Sequence, residues 1–162
     1  MEKAQVDYAF IDATNLYQTM QKVGWNIDYY RFRRYLSEHY GVFKAYYFLG
    51  YMLENEPLYR SLINAGYELI FKPVLRLPGG EVKGNCDAEL VLQAMIEYKN
   101  YNKALVVSGD GDFYCLVKYL REQGKLSGVL SPTRRWCSHL LDMASGGNLA
   151  FIDGLQRKIG YK

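Results

Sequence analysis

Hydrophobic and polar positions fall into two alternating periods along this chain. Short apolar runs bounded by turn residues predict strands at Val6–Asp12, Val42–Leu49, Tyr67–Lys72, Lys103–Val107, Leu126–Leu130 and Leu149–Ile152. Between them, apolar residues at helical spacing predict helices over Asp28–Tyr40, Glu54–Ala65, Asp87–Lys99 and Asp112–Gln123, with another around Trp136–Ala144. Asp28 is placed to cap the first of these, and Gly41 to end it. Gly66 and Gly124 stop two others. The segment 13–27 receives no element. The longest break is Val74–Gly84, where Pro78-Gly79-Gly80 marks a turn. Strands alternating with helices predict an α/β fold with parallel strands, right-handed crossovers and helices on both faces. No linker, repeat or low-complexity tract interrupts the pattern, so residues 1–162 read as one domain.

Composition narrows the field without naming a function. The chain is 49% hydrophobic, enough for a proper core and against disorder. A formal charge of +3 is compatible with a polyanionic partner and too small to demand one. No apolar run is long enough to span a bilayer, and Met1-Glu2-Lys3 does not lead into a signal-peptide core. Cys86, Cys115 and Cys137 are odd in number and form no C-x-x-C pair. A disulfide framework and a cysteine-rich zinc site are both disfavoured, and a reducing cytoplasm is expected. P-loop, G-x-G-x-x-G and G-x-S-x-G patterns do not occur, which sets aside nucleotide-cofactor and serine-hydrolase chemistry. Sixteen tyrosines stand out against two tryptophans.

In parallel sheets, ligands gather at the carboxyl ends of the strands, near the point where strand order reverses. Asp12 closes the first strand. Asp110 and Asp112 follow the fourth through Ser108-Gly109, and two glycines, Gly109 and Gly111, would let the chain turn tightly there. Asp87 opens a helix directly after Lys83-Gly84-Asn85-Cys86. Four acids from three remote segments are thereby directed to one sheet edge. Two carboxylates ~4 Å apart repel by roughly 4 kcal/mol at an effective dielectric of about 20. Helix N-termini return only about 0.3–1 kcal/mol each. A hard divalent cation, Mg²⁺ or Mn²⁺, would let the acids coexist and could activate a water against a phosphodiester. The bland alternative is that Asp12 and Asp87 only cap helices and that D-G-D is an ordinary turn. An EF-hand is not supported, since no Glu stands at the twelfth loop position after Asp110.

Three blocks, Phe10-Ile11-Asp12-Ala13-Thr14-Asn15-Leu16, Lys83-Gly84-Asn85-Cys86-Asp87-Ala88-Glu89-Leu90 and Ser108-Gly109-Asp110-Gly111-Asp112-Phe113, resemble the signatures of the NYN domain. This is the LabA-like branch of the PIN-like nuclease superfamily. The resemblance spans nearly the whole chain, and S-G-D-G-D-F is its most specific block. It implies a PIN-like three-layer α/β/α sandwich with a central, mostly parallel sheet, and a Mg²⁺- or Mn²⁺-dependent endoribonuclease site. Carried over, Asp12, Asp87, Asp110 and Asp112 would be the catalytic and metal-site acids. Asn15 would brace Asp12 or touch a phosphate, and Ser108 would orient the acidic loop. A homodimer is also expected, by analogy with small nucleases of the superfamily. Two positions depart from the pattern: Ala13 replaces a usual Gly, and Gln93 stands where many relatives carry a further acid, which implies weaker metal binding. Glu89 could substitute, although two residues from Asp87 on a helix it points elsewhere.

Basic residues supply the remaining candidates. Lys72, Arg76 and Lys83 flank the turn beside the expected site and could guide a nucleic-acid backbone. Arg134 and Arg135 follow the fifth strand at the same sheet edge and could contact phosphate. Arg31, Arg33 and Arg34, interleaved with Tyr29, Tyr30, Phe32 and Tyr35, fit an amphipathic helix better than a nucleic-acid surface. His39 and His139 lack partner acids at ligand spacing, and Cys86 lacks a His partner for thiol catalysis. The expected substrate is single-stranded or structured RNA. A non-catalytic RNA- or protein-binding module keeping the fold is the rival reading, and a DNA nuclease or nucleic-acid phosphatase using the same ion is a third.

Overall fold

The computed structural model describes residues 5–80, 82–83 and 85–161, with the side chains of Arg76, Val82 and Lys83 outside the description. Six strands form one parallel sheet: β1 (Asp7–Asp12), β2 (Val42–Gly50), β3 (Tyr67–Lys72), β6 (Ala104–Val107), β7 (Leu126–Ser131) and β8 (Leu149–Phe151). Their order is β3-β2-β1-β6-β7-β8, with every pairing parallel. Two short strands, β4 (Leu75–Arg76) and β5 (Val82–Lys83), pair antiparallel within the stretch read as a turn-centred break.

Side chains alternate across the strands and divide the core into two layers. Ala9 and Ile11 of β1 face one layer, with Tyr47, Leu105 and Val107. It is covered by α1 (Ala13–Val23), α2 (Tyr29–Tyr40), α3 (Glu56–Asn64) and α7 (Gln156–Ile159). Tyr8 and Phe10 face the other, with Tyr46, Phe48 and Val106. That side is covered by α4 (Asp87–Ile96), α5 (Tyr114–Glu122) and α6 (His139–Ser145). Helices on both faces of a parallel sheet make the three-layer α/β/α architecture expected from the pattern.

Helix α2 forms as its residues dictate. The Asp28 carboxylate accepts from the backbone N–H groups of Tyr30 and Arg31, and Gly41 ends the helix at φ +68°. Phe32 and Leu36, one turn apart, are fully buried. Arg33 donates to the carbonyls of Gly66, Val42 and Phe43 at 3.2, 3.2 and 2.8 Å. Arg34 pairs with Glu38 at 3.1 Å, and Arg31 with Asp28 at 3.7 Å. The packing bears out the amphipathic reading for Tyr29, Phe32 and Tyr35, while Tyr30 stands exposed.

The unassigned stretch after β1 is a helix, α1. Its buried positions Ala13, Leu16, Thr19 and Met20 keep helical spacing. Polar and β-branched neighbours dilute that signal in the sequence. The short α7 also went unread, because four residues hold barely one helical turn.

Candidate metal centre

Strand order reverses between β1 and β6: β2 and β3 extend the sheet on one side of β1, β6 to β8 on the other. Ile11 pairs with Val107, so the next residues, Asp12 and Ser108, emerge side by side at the sheet's carboxyl edge. There the Ser108 hydroxyl donates to Asp12 Oδ2 at 3.1 Å, and the Asn15 backbone N–H donates to Asp12 Oδ1 at 3.2 Å. Asp12 therefore caps α1, as the bland reading held, and still presents a carboxylate at the switch point.

The loop after β6 is tied down by the same residues. Ser108 Oγ accepts from the Asp110 N–H at 3.0 Å, and the Asn15 side-chain oxygen accepts from the Gly109 N–H at 2.8 Å. Asp110 in turn caps a short 3₁₀ turn by accepting from the Asp112 N–H at 2.9 Å. Asp87 is the first residue of α4, and its N–H donates to the Asn85 side chain at 2.8 Å. One carboxylate oxygen each from Asp12, Asp87 and Asp110 lies within 4.8 Å of the others. Three remote segments thus deliver three acids to one point.

The glycines of S-G-D-G-D serve a purpose other than the tight turn expected. Neither Gly109 nor Gly111 adopts a positive φ. A Cβ on Gly109 would lie 2.8 Å from Ser131 Oγ, and one on Gly111 would lie 2.9 Å from Ser138 Cβ. Close approach of the end of β7 and of the start of α6 leaves no room for a side chain at either position.

Electrostatics at the cluster is unfavourable as it stands. Asp12 is 5% exposed. Burial, opposed by the Asn15 and Ser108 hydrogen bonds and reinforced by the charges of Asp87 and Asp110, pushes its carboxyl from 3.8 up to about 6. Asp87 is also raised, first by burial and then, against the Asn85 hydrogen bond, by the carboxylates of Asp110 and Asp112. Asp112 itself is exposed and stands outside the three-oxygen group. A donor set made only of carboxylate oxygens suits a hard divalent cation.

The cluster lines a cleft of about 560 Å³, together with Thr14, Asn15, Gln18, Gly50, Met52, Val74 and Asn85. Thr14 and Gln18 were missed in the sequence because they sit one turn apart on α1, a helix the pattern did not reveal. Ser108 is fully buried and orients the acidic loop as expected, positioning Asp12 and Asp110 from beneath. Arg134 and Arg135 do not line the cleft. Arg134 lies over the Phe151 ring at 4.5 Å and Arg135 over Trp136 at 4.9 Å. The Lys83 side chain falls outside the described residues. Lys72 is engaged by the Asn85 carbonyl at 2.6 Å and by Glu89 at 3.9 Å, so neither Lys72 nor Glu89 joins the acid group. Gln93 donates to Glu97 at 3.4 Å and does not line the cleft. Burial pushes the Cys86 thiol to about 11, which keeps it protonated at neutral pH.

A doubly wound parallel sheet with clustered acids at its switch point defines an α/β domain of nuclease-like build. The NYN domain family matches residues 8–144, and the chain belongs to it. It is 28% identical over 123 residues to the Low amplitude and bright protein LabA of Synechococcus elongatus, covering 69% of this chain. The chain spans 66% of that curated relative's length. A crystal structure of a Vibrio parahaemolyticus protein of unknown function superposes with a TM-score of 0.79. That likeness covers 99% of this chain and 100% of the other at 23% identity, and it shows the fold. Among the described residues, no helix is long and apolar enough to cross a membrane.

Proposed function

We propose that this NYN domain is a metal-dependent endoribonuclease that hydrolyses RNA phosphodiester bonds in the acidic cleft. The observation carrying this reading is the convergence of Asp12, Asp87 and Asp110 within 4.8 Å, one of them buried and raised to about 6. A fold does not need such a cluster for stability, since each like charge disfavours its neighbours. These three carboxylates would hold Mg²⁺ or Mn²⁺. When bound, the ion supplies positive charge against the phosphate and lowers the pKa of water. Ser108 and Asn15 keep the acid loop in register while charge at the cleft changes. Asp112, exposed at the rim of the cluster, would add its carboxylate to the catalytic acids. Lys83, Arg134 and Arg135 would meet the strand's phosphates outside the cleft. The odd cysteine count supports a reducing, cytoplasmic setting. A homodimer belongs to the same reading and is checked by sedimentation.

The test is cleavage of a mixed RNA pool with Mg²⁺ or Mn²⁺, with EDTA and Asp110→Asn as controls. Internal cleavage lost in both controls supports the reading, and cleavage surviving both exposes a contaminant. Silence from folded protein under either ion would favour a non-catalytic binding module. DNA on the same gel separates a ribonuclease from a general nuclease.

A further inference from the structure

The acidic cleft does not end at the acids. It shares Thr14, Gln18 and Gly50 with a second cavity of about 400 Å³, walled by Tyr17, Tyr29, Tyr47 and Tyr59. That cavity shares Tyr17, Tyr29 and Leu58 with a third, of about 220 Å³, which adds Tyr30 and Tyr161. Three depressions thus join in series along α1. Thr14, Tyr17, Gln18 and Gln21 line them, at the i, i+3, i+4 and i+7 positions of one helical face. From Thr14 to Gln21 that face runs about 10 Å along the axis.

The chemistry changes sharply along this path. Among the described residues, no charged residue lines the second or third cavity. In its place are six of the sixteen tyrosines and the amides of Gln18, Gln21, Asn26 and Asn55. The inner rings have their hydroxyls engaged within the protein: Tyr47 donates to Tyr29 at 3.2 Å, and Tyr59 donates to the Gly50 carbonyl at 3.3 Å. The outer rings stand out into solvent, Tyr17 at 61%, Tyr30 at 53% and Tyr161 at 68% exposed. Burying them needs a ligand with flat apolar faces and polar edges. Nucleobases have both, and aromatic platforms hold unpaired bases without regard to sequence.

We propose that the tyrosine face of α1 is a nucleobase track for a single strand. Bases next to the phosphate at the acids stack on Tyr17 and Tyr30, and the Gln18 and Gln21 amides meet their edges. The phosphates run on the outer side, since no cation lines the track among the described residues. A duplex hides its base faces and is excluded. Placing a phosphate at the acids rests on the nuclease reading, whereas stacking along α1 does not.

Binding is measured without metal in the Asp110→Asn chain, so that cleavage cannot intervene. Fluorescence anisotropy compares a labelled RNA single strand with its duplex, with an abasic strand of equal length, and with single-stranded DNA. The single strand is expected to bind at least about ten-fold more tightly than the duplex or the abasic strand. Tyr17→Ala should weaken it by about ten-fold while leaving the slope of log affinity against log salt unchanged. Tyr17→Trp should retain binding, and its added emission, read against the parent with Trp25 and Trp136 only, should be quenched by the strand. Equal binding of DNA supports the track, because base faces are common to both polymers. An abasic strand bound as well as RNA, an unchanged affinity in Tyr17→Ala, or no binding at all overturns it. If the unmodified chain cleaves RNA while Tyr17→Ala binds normally, the track alone falls. If Tyr17→Ala loses binding and the unmodified chain cleaves nothing under either ion, the nuclease reading falls and the track stands.

Discussion

Asp12 is buried beside two other carboxylates and ionises only near pH 6, so at neutral pH the metal-free fold carries a charge that the unfolded chain would hold more cheaply. The sign follows from the two values. Below pH 3.8 the group is protonated in both states and costs nothing. Between that value and about 6 the unfolded chain releases its proton while the folded one retains it, so stability falls as pH rises. Above about 6 the loss is complete, and the gap of two units corresponds to roughly 3 kcal/mol. Asp12→Asn removes the charge and keeps the shape: its oxygen can accept from Asn15 and its amide can donate to Ser108. The metal-free variant should therefore be more stable than the parent by about 1–3 kcal/mol at pH 7.5, and level with it at pH 4. Urea unfolding at both pH values measures this. A variant less stable than the parent at pH 7.5 would refute the account of the buried charge.

At the scale of elements, the acid loop is held by what cannot fit beside it. Gly111 lies so close to Ser138, the cap of α6, that an added Cβ has no room. Gly111→Ala should cost about 1–3 kcal/mol and displace Asp110 with the loop. Ser138→Gly alone should cost only a few tenths, since glycine is tolerated at that position. The double variant should be more stable than Gly111→Ala, a coupling that thermal unfolding detects and that independent effects would not produce. This constraint was invisible in the sequence, where two glycines between aspartates read as a turn. Strand ends were legible, because a buried parallel strand is a compact apolar run and each acid falls just beyond one. Asp12 and Asp110 could be placed in that way. Asp87 could be placed by the helix it opens. Helix α1 could not, because its apolar stripe is short and its exposed face, Thr14, Tyr17, Gln18 and Gln21, gives no strong helical signal. Thr14 and Gln18, missed around the cleft, are carried by this helix, whereas Gly50, Met52 and Val74 come from the end of β2 and from loops with no polar signal of their own. Ser108 does orient the acid loop as expected, but its place beneath Asp12 was not legible, because register is a property of paired strands, not of one segment.

At the scale of the whole molecule, topology explains why repulsion is tolerated. Asp12 ends β1 and Asp110 follows β6, neighbouring strands whose connections leave in opposite directions, and Asp87 reaches the same edge at the head of a crossover helix. Among the described residues, no cation lines the cleft. A separate depression of about 490 Å³ between α2 and α7 collects Arg31, Arg34, Arg157 and Lys158, and it shares no residue with the cleft. An ion from solution would balance the charge of the acids, which makes the fold's stability a readout of ion binding. At a Mn²⁺ concentration of 100 times Kd, binding to the folded state alone adds about 2.7 kcal/mol. For a domain of this size that is a rise in Tm of about 5–10 °C. Protons compete for the same oxygens, and with Asp12 at about 6 the rise should be large at pH 7.5 and much reduced at pH 5. Asp12→Asn should begin with the higher metal-free Tm and gain little from Mn²⁺, so that the two melting curves converge as the ion is added. Sodium chloride at equal ionic strength controls for general screening, which would move both proteins alike. An equal Mn²⁺ response in the variant would place the ion elsewhere and detach the acid cluster from metal binding.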